Sequence, residues 1–242
     1  MAQKLTLSRA TLAPVLAEFL GTAVLVMMYL VLTQTTAVSY FIGTSVALAL
    51  GVVYLVFGGI SGGHFNPAIT VGSWVSKKIT QNSTIRTVSY IAAQFVGGFA
   101  ALKLYEYLIN HEVASQTVKY TFPILLAEAL GALVLTFGFV TAKNRAASML
   151  EGSLAYGAAL FVGTMVASTA AAGLLNPAVA LGVHNFNWVY VVGPALGAVV
   201  AALAYQYVLT VPAAKVAASK APAAKAVAKP ARARKTAARR RR

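Results

Sequence analysis

The stretch SGGHFNPAIT, residues 61–70, interrupts a long hydrophobic region with a glycine-rich turn followed by an Asn-Pro pair. Proline suits the first turn of a helix, where its missing N–H would lack a partner anyway, and Asn66 directly before Pro67 is a favoured N-cap. The stretch GLLNPAVALG, residues 173–182, repeats this device, with its NPA 110 positions later. The two breaks therefore predict two short helices inside the hydrophobic region, one from Pro67 and one from Pro177.

A second pair of matching segments keeps the same spacing. AEFLGTAVLV at residues 17–26 matches AEALGALVLT at residues 127–136, and each carries one carboxyl group among apolar residues, Glu18 or Glu128. An ionisable side chain within a hydrophobic span is costly and by default functional. The chain is thus interpreted as an internal duplication whose repeated polar residues indicate the working site.

The composition is typical of a protein that lies in a bilayer. Of the 242 residues, 59% are hydrophobic and 10% are charged, and the mean hydropathy is +0.73. A spanning helix needs about 20 apolar residues, and helices pair their own backbone groups away from water. Six windows meet this requirement: 13–32, 40–60, 88–108, 122–140, 154–172 and 188–211.

Each half of the duplication contains three predicted spans and one break. Because three is odd, the second copy enters the membrane in the opposite direction, which places a shared site where the halves meet. The predicted fold is all-α, with six transmembrane helices and two re-entrant half-helices in an inverted repeat. The predicted regions are a cytoplasmic N-terminus (1–11), a first repeat (12–120), a second repeat (121–211) and a disordered basic tail (212–242).

The distribution of Lys and Arg predicts that both chain termini are cytoplasmic, because positive residues concentrate on the cytoplasmic side. Lys4, Arg9, Lys77, Lys78, Arg86, Lys143, Arg145 and the tail lie on one predicted side, and only Lys103 and Lys119 lie on the other.

The tail at residues 212–242 consists almost wholly of Ala, Lys, Arg and Pro, and without it the formal net charge falls from +15 to +4. Such a segment lacks the apolar residues needed for a core, so we expect disorder. Anionic lipid is the favoured partner of its charges. Nucleic acid, bound through its phosphates, is the alternative.

The paired breaks suggest how a molecule would pass between them. Two helix N-termini carry partial positive charge and repel cations, while the amide groups of Asn66 and Asn176 can donate hydrogen bonds to a neutral solute. Irregular backbone at this depth is tolerated where it lines a wet cavity. The predicted carbonyl-bearing lining comprises Gly62, Gly63, His64, Ala172 and Leu174.

Taken together, SGGHFNPAIT, AEFLGT, AQFVGG and AEALG resemble the signatures of the aquaporin and aquaglyceroporin family, the major intrinsic proteins, over residues 10–211. The second motif, NPAVA, is similar to that of plant tonoplast members. The resemblance implies a homotetramer with one pore per subunit, while the residue content predicts no cofactor and no metal site. It also implies that Asn66, Pro67, Ala68, Asn176, Pro177 and Ala178 line the pore, and that Glu18 and Glu128 brace the two re-entrant loops.

One position departs from the family pattern. Most members carry Arg directly after the second NPA, where this chain has Val179. The family's spacing places Val46, Thr164 and Gly173 beside it in a four-residue selectivity filter. A small, uncharged filter predicts entry of glycerol, urea, ammonia or hydrogen peroxide besides water. Without the fixed cation, some proton or cation leak is also expected.

Two other functions remain open at this stage. An ion-coupled secondary transporter also uses inverted repeats and broken helices, although this chain contains no Asp for a cation site. A membrane-organising protein with a vestigial pore is the second. An enzyme is not expected, because three His, five Glu and no Cys offer no nucleophile and base pair. His64 is interpreted as a packing residue in its loop, with a proton-sensitive gate as the alternative.

Overall fold

The computed structural model describes residues 8–76, 79, 82–116, 120–146 and 148–209, and the predicted tail lies outside them. Within this part, six helices are long and apolar enough to cross a membrane. The spans are α1 (Arg9–Thr35), α2 (Ser39–Ser61), α4 (Thr84–Ile109), α5 (Phe122–Asn144), α6 (Met149–Ala167) and α8 (Val189–Ala204), which a π-helical turn (Tyr205–Leu209) continues. The short helices are α3 (Pro67–Val75) and α7 (Pro177–Gly182).

The spans differ from their predicted windows mainly at polar ends. Helix α4 begins at Thr84, four residues before its window, because the Ser83 hydroxyl accepts a hydrogen bond from the Arg86 N–H at 3.2 Å and caps the first turn. Helix α6 ends at Ala167, where the window continued to residue 172, because the chain turns there toward the second break. Hydropathy windows report apolar length and miss such turns.

The helices pack in the same pattern in both halves. Helix α1 lies against α4, and α5 lies against α8. Each contact needs a glycine: a Cβ on Gly97 would clash with the carbonyl oxygen of Phe19, and a Cβ on Gly197 would clash with that of Ala129. Small residues at such contacts let helix backbones approach closely in a membrane. The duplication of sequence is therefore also a duplication of packing.

The two short helices cross over between the halves. Helix α3, from the first half, packs on α8, and α7, from the second half, packs on α4. The residues just before the two Asn-Pro pairs share an unusual backbone, with φ of 50° at Phe65 and 54° at Leu175. This left-handed conformation is uncommon for residues other than glycine. It turns each chain sharply so that the half-helix begins inside the protein.

Candidate functional site

Asn66 and Asn176 cap the two half-helices from equivalent positions. The Oδ1 of Asn66 accepts a hydrogen bond from the Ala68 N–H at 2.8 Å, and the Oδ1 of Asn176 accepts one from the Ala178 N–H at 3.0 Å. A side-chain oxygen at this position satisfies a backbone N–H that has no partner within the helix. Both caps leave the amide NH₂ group free of the helix.

The two amide groups bond across the centre of the molecule. The Nδ2 of Asn66 donates to the Leu175 carbonyl, and the Nδ2 of Asn176 donates to the Phe65 carbonyl, both at 2.9 Å. The asparagine of each break thus bonds to the residue of the opposite break that has the left-handed backbone, Phe65 or Leu175. An amide NH₂ has two hydrogens, so one crossing bond leaves a second hydrogen for another acceptor.

Both asparagines line a small buried cavity, which we call the asparagine cavity. Its volume is about 10 Å³. A volume of roughly 10–15 Å³ on this measure holds one water molecule. The other lining residues are Leu25, Tyr29, Val46, Leu50, His64, Phe65, Leu135, Tyr156, Leu160, Leu174 and Val179. Polar amides and apolar walls therefore enclose a cavity with room for about one water molecule.

The Glu18 carboxylate is buried behind the first break and accepts four hydrogen bonds. One oxygen accepts from the Ser61 hydroxyl at 2.6 Å and the His64 N–H at 3.0 Å. The other accepts from the Phe65 N–H at 2.6 Å and the Gln94 side-chain amide at 2.7 Å. This set connects the loop to two spanning helices, since Glu18 lies on α1 and Gln94 on α4.

Glu128 has the equivalent place behind the second break. Its carboxylate accepts from the N–H groups of Leu174 at 3.0 Å and Leu175 at 2.7 Å, and also from that of Gly173. These donors all belong to the backbone, whereas two of the Glu18 donors are side chains. The two buried carboxylates thus contact the same part of each loop through different sets of donors.

His64 is enclosed between the first break and its neighbours. The side chains of His64 and Thr70 are joined by a hydrogen bond of 3.1 Å, and the His64 ring packs edge-on against Phe139. His64 is fully buried, and its contacts with Thr70, Tyr90 and Phe139 favour the packing role over a proton-sensitive gate.

Three of the four predicted filter residues line two neighbouring cavities, and the fourth, Gly173, is bonded to one of them. Val46 and Val179 line the asparagine cavity. Thr164 lines a second cavity of about 70 Å³, which we call the Thr164 cavity. The Thr164 hydroxyl donates to the Gly173 carbonyl at 3.3 Å, so these two residues are in contact.

Tyr29 on α1 also lies at this place, although no motif in the sequence indicates it. Its hydroxyl donates to the Gly173 carbonyl at 3.4 Å, and its side chain lines both the asparagine cavity and the Thr164 cavity. One signal was available in the repeat, because Tyr29 follows Glu18 by eleven positions and Phe139 follows Glu128 by eleven. Phe139 packs on His64, which belongs to the first break. By the symmetry of the repeat, the equivalent residue Tyr29 lies beside the second break.

Comparison with known proteins identifies the family. The model for the family described as "Major intrinsic protein" matches residues 3–205. This chain belongs to the major intrinsic protein family. Major intrinsic proteins are channels and not enzymes, so the chain is an integral, multi-pass membrane protein that forms a passive channel for water or small solutes.

The relatives of this chain include proteins named as aquaporins and a protein named as a glycerol uptake facilitator. The chain is 33% identical over 223 residues to Aquaporin-2 of Ovis aries, which covers 82% of this chain and 79% of the relative. It is 34% identical over 210 residues to Glycerol uptake facilitator protein-like 6 of Lactiplantibacillus plantarum. That match covers 77% of this chain and 94% of the relative. The solved structure of the aquaglyceroporin from Plasmodium falciparum shares the fold, with a TM-score of 0.67 and 22% identity. The match covers 82% of this chain and 97% of that structure's chain.

Proposed function

We propose that this chain conducts water and small neutral solutes along a path that passes between Asn66 and Asn176. The crossing amides carry this proposal, because they lie at the start of both half-helices and line one buried cavity. A solute oxygen can accept the second hydrogen of each amide as it passes. The lining is completed by the backbone of Gly62, Gly63, His64, Ala172 and Leu174.

The same arrangement repels cations. The N-terminal ends of α3 and α7 face the site, and each helix end carries a partial positive charge. A cation would be repelled there and would also lose its hydration in a cavity of single-molecule width. Glu18 and Glu128 hold the loops that position these helix ends, through their bonds to the backbone N–H groups.

The solute range depends on the uncharged filter of Val46, Thr164, Gly173 and Val179. Apolar walls with a single hydroxyl offer few hydrogen bonds, so selection rests on size more than on charge. The candidates beyond water are glycerol, urea, ammonia and hydrogen peroxide. The relatives named as an aquaporin and as a glycerol uptake facilitator support a range that extends from water to glycerol.

The assembly and its orientation complete the proposal. We expect a homotetramer with a pore in each subunit and with both termini in the cytoplasm. The basic tail contacts anionic lipid, with nucleic acid as the alternative partner.

Stopped-flow swelling of proteoliposomes tests the channel function. Compared with empty liposomes, the protein should accelerate water flux without any ion gradient and with a low activation energy. Glycerol, urea, ammonia and hydrogen peroxide are then measured in parallel. Solute uptake that requires a sodium or proton gradient would instead identify a coupled transporter. Background flux from correctly inserted protein would identify a vestigial pore.

A further inference from the structure

A buried tyrosine lies where the asparagine cavity and the Thr164 cavity meet. Tyr29 and Leu174 line both cavities. Tyr29 is only 2% exposed and projects from α1, whereas the four filter residues come from α2, α6, α7 and the second break. The junction of the two cavities therefore has a wall on α1 that the filter set does not include.

The tyrosine supplies volume that the other four residues lack. Of the four filter residues, Val46 and Val179 line the asparagine cavity, whose volume is about 10 Å³. Tyr29 lines the same cavity and has a larger side chain than either valine. An aromatic ring is large and has few rotatable bonds, so it narrows a passage with little loss of conformational entropy.

The tyrosine hydroxyl is held at the loop that carries Gly173. Tyr29 and Thr164 both donate to the Gly173 carbonyl, at 3.4 Å and 3.3 Å. A carbonyl oxygen has two lone pairs and can accept both bonds. These contacts fix the ring against the second break without introducing a charge.

We propose that Tyr29 is the residue that sets the size limit of this channel: it admits water, ammonia and hydrogen peroxide and strongly slows glycerol and urea. This inference rests on the proposed function, since it ranks the solutes of the same pore. It assigns the ranking to ring volume on α1 and not to Val179.

The test compares glycerol and water permeability in proteoliposomes for the natural chain, Tyr29→Phe, Tyr29→Leu and Tyr29→Ala. We expect a low glycerol-to-water ratio for the natural chain and for Tyr29→Phe, which keeps the ring. Tyr29→Ala should raise the ratio by about tenfold, and Tyr29→Leu should raise it by a smaller factor. Tyr29→Leu preserves most of the buried volume and answers the question if Tyr29→Ala does not insert.

Leu30→Ala is the matched control, because Leu30 is the next residue of α1, is fully buried and lines neither cavity. Its glycerol-to-water ratio should equal that of the natural chain. If the natural chain conducts water while Tyr29→Ala and Tyr29→Leu leave the ratio unchanged, the assignment of Tyr29 is wrong. If Leu30→Ala raises the ratio as much as Tyr29→Ala, general loosening of α1 explains the effect and the assignment is also wrong. Background water flux in the natural chain and in every variant would overturn the proposed function itself.

Discussion

Among single residues, Val179 is the clearest departure from the family pattern. Its side chain is buried at the start of α7 and lines the asparagine cavity. The neighbouring Tyr29 and Thr164 carry hydroxyl groups but no charge. Selection at this point therefore depends on the space between side chains and on hydroxyl hydrogen bonds.

Replacing Val179 by Arg should lower glycerol and urea flux more than water flux. The longer side chain narrows the path, and its fixed charge holds water in the way of larger solutes. Parallel swelling measurements with water, glycerol and urea check this prediction. They compare channels with and without Val179→Arg, once in the natural chain and once in the Tyr29→Ala background. Val179→Leu adds bulk without charge and separates the two causes. Equal losses for all three solutes would show that Val179 is not at the narrowing.

At the level of elements, the two half-helices are connected because each asparagine caps its own half-helix and bonds to the loop before the other one. Asn66 caps α3 and donates to the loop before α7, and Asn176 caps α7 and donates to the loop before α3. The half-helices are short, and their positions depend on these bonds and on the buried carboxylates.

Asn176→Asp should raise cation conductance. Aspartate keeps the oxygen that caps α7, but it loses the donor to the Phe65 carbonyl and adds a negative charge where two positive helix ends meet. Conductance of potassium ions in planar bilayers measures the effect. Asn187→Asp is the control, because Asn187 also accepts from a backbone N–H, that of Val189, but lines neither cavity. An Asn176→Asp channel as impermeable to potassium as the natural chain would contradict the electrostatic role of this site.

Across the whole molecule, two halves of opposite orientation interlock through the short helices. Helix α3 packs on a span of the second half, and α7 packs on a span of the first. In the proposed mechanism, each half contributes one helix end to the barrier against cations. The residue directly after the second NPA is the uncharged Val179, so no fixed side-chain charge adds to these helix ends there.

A barrier of helix ends alone should permit a measurable proton leak. Proteoliposomes under a pH gradient, with a pH-sensitive dye inside, should show faster proton entry than empty liposomes. Val179→Arg should reduce that rate by restoring a fixed cation. Protein-containing liposomes as tight to protons as empty ones would rule out the leak.

Much of this organisation can be predicted from the order of residues, because it depends on local chemistry and repetition. Hydropathy indicates six spans, Asn-Pro pairs indicate two helix starts, and the shared spacing of Glu18 and Glu128 indicates an inverted repeat. The end of α6 at Ala167 was missed, because a turn in an apolar sequence leaves no hydropathy signal.

The residues that meet across the halves could be found only in three dimensions. The amide of Asn66 bonds to a carbonyl 109 positions away, and Tyr29 reaches a carbonyl 144 positions away. Local patterns carry no information about such contacts, since they arise only when helices from both halves pack together. Sequence therefore decided that this chain spans a membrane, breaks twice and belongs to a channel family. Packing decided which side chains line the two cavities, because the direction in which Tyr29 projects depends on how α1 packs against the second half.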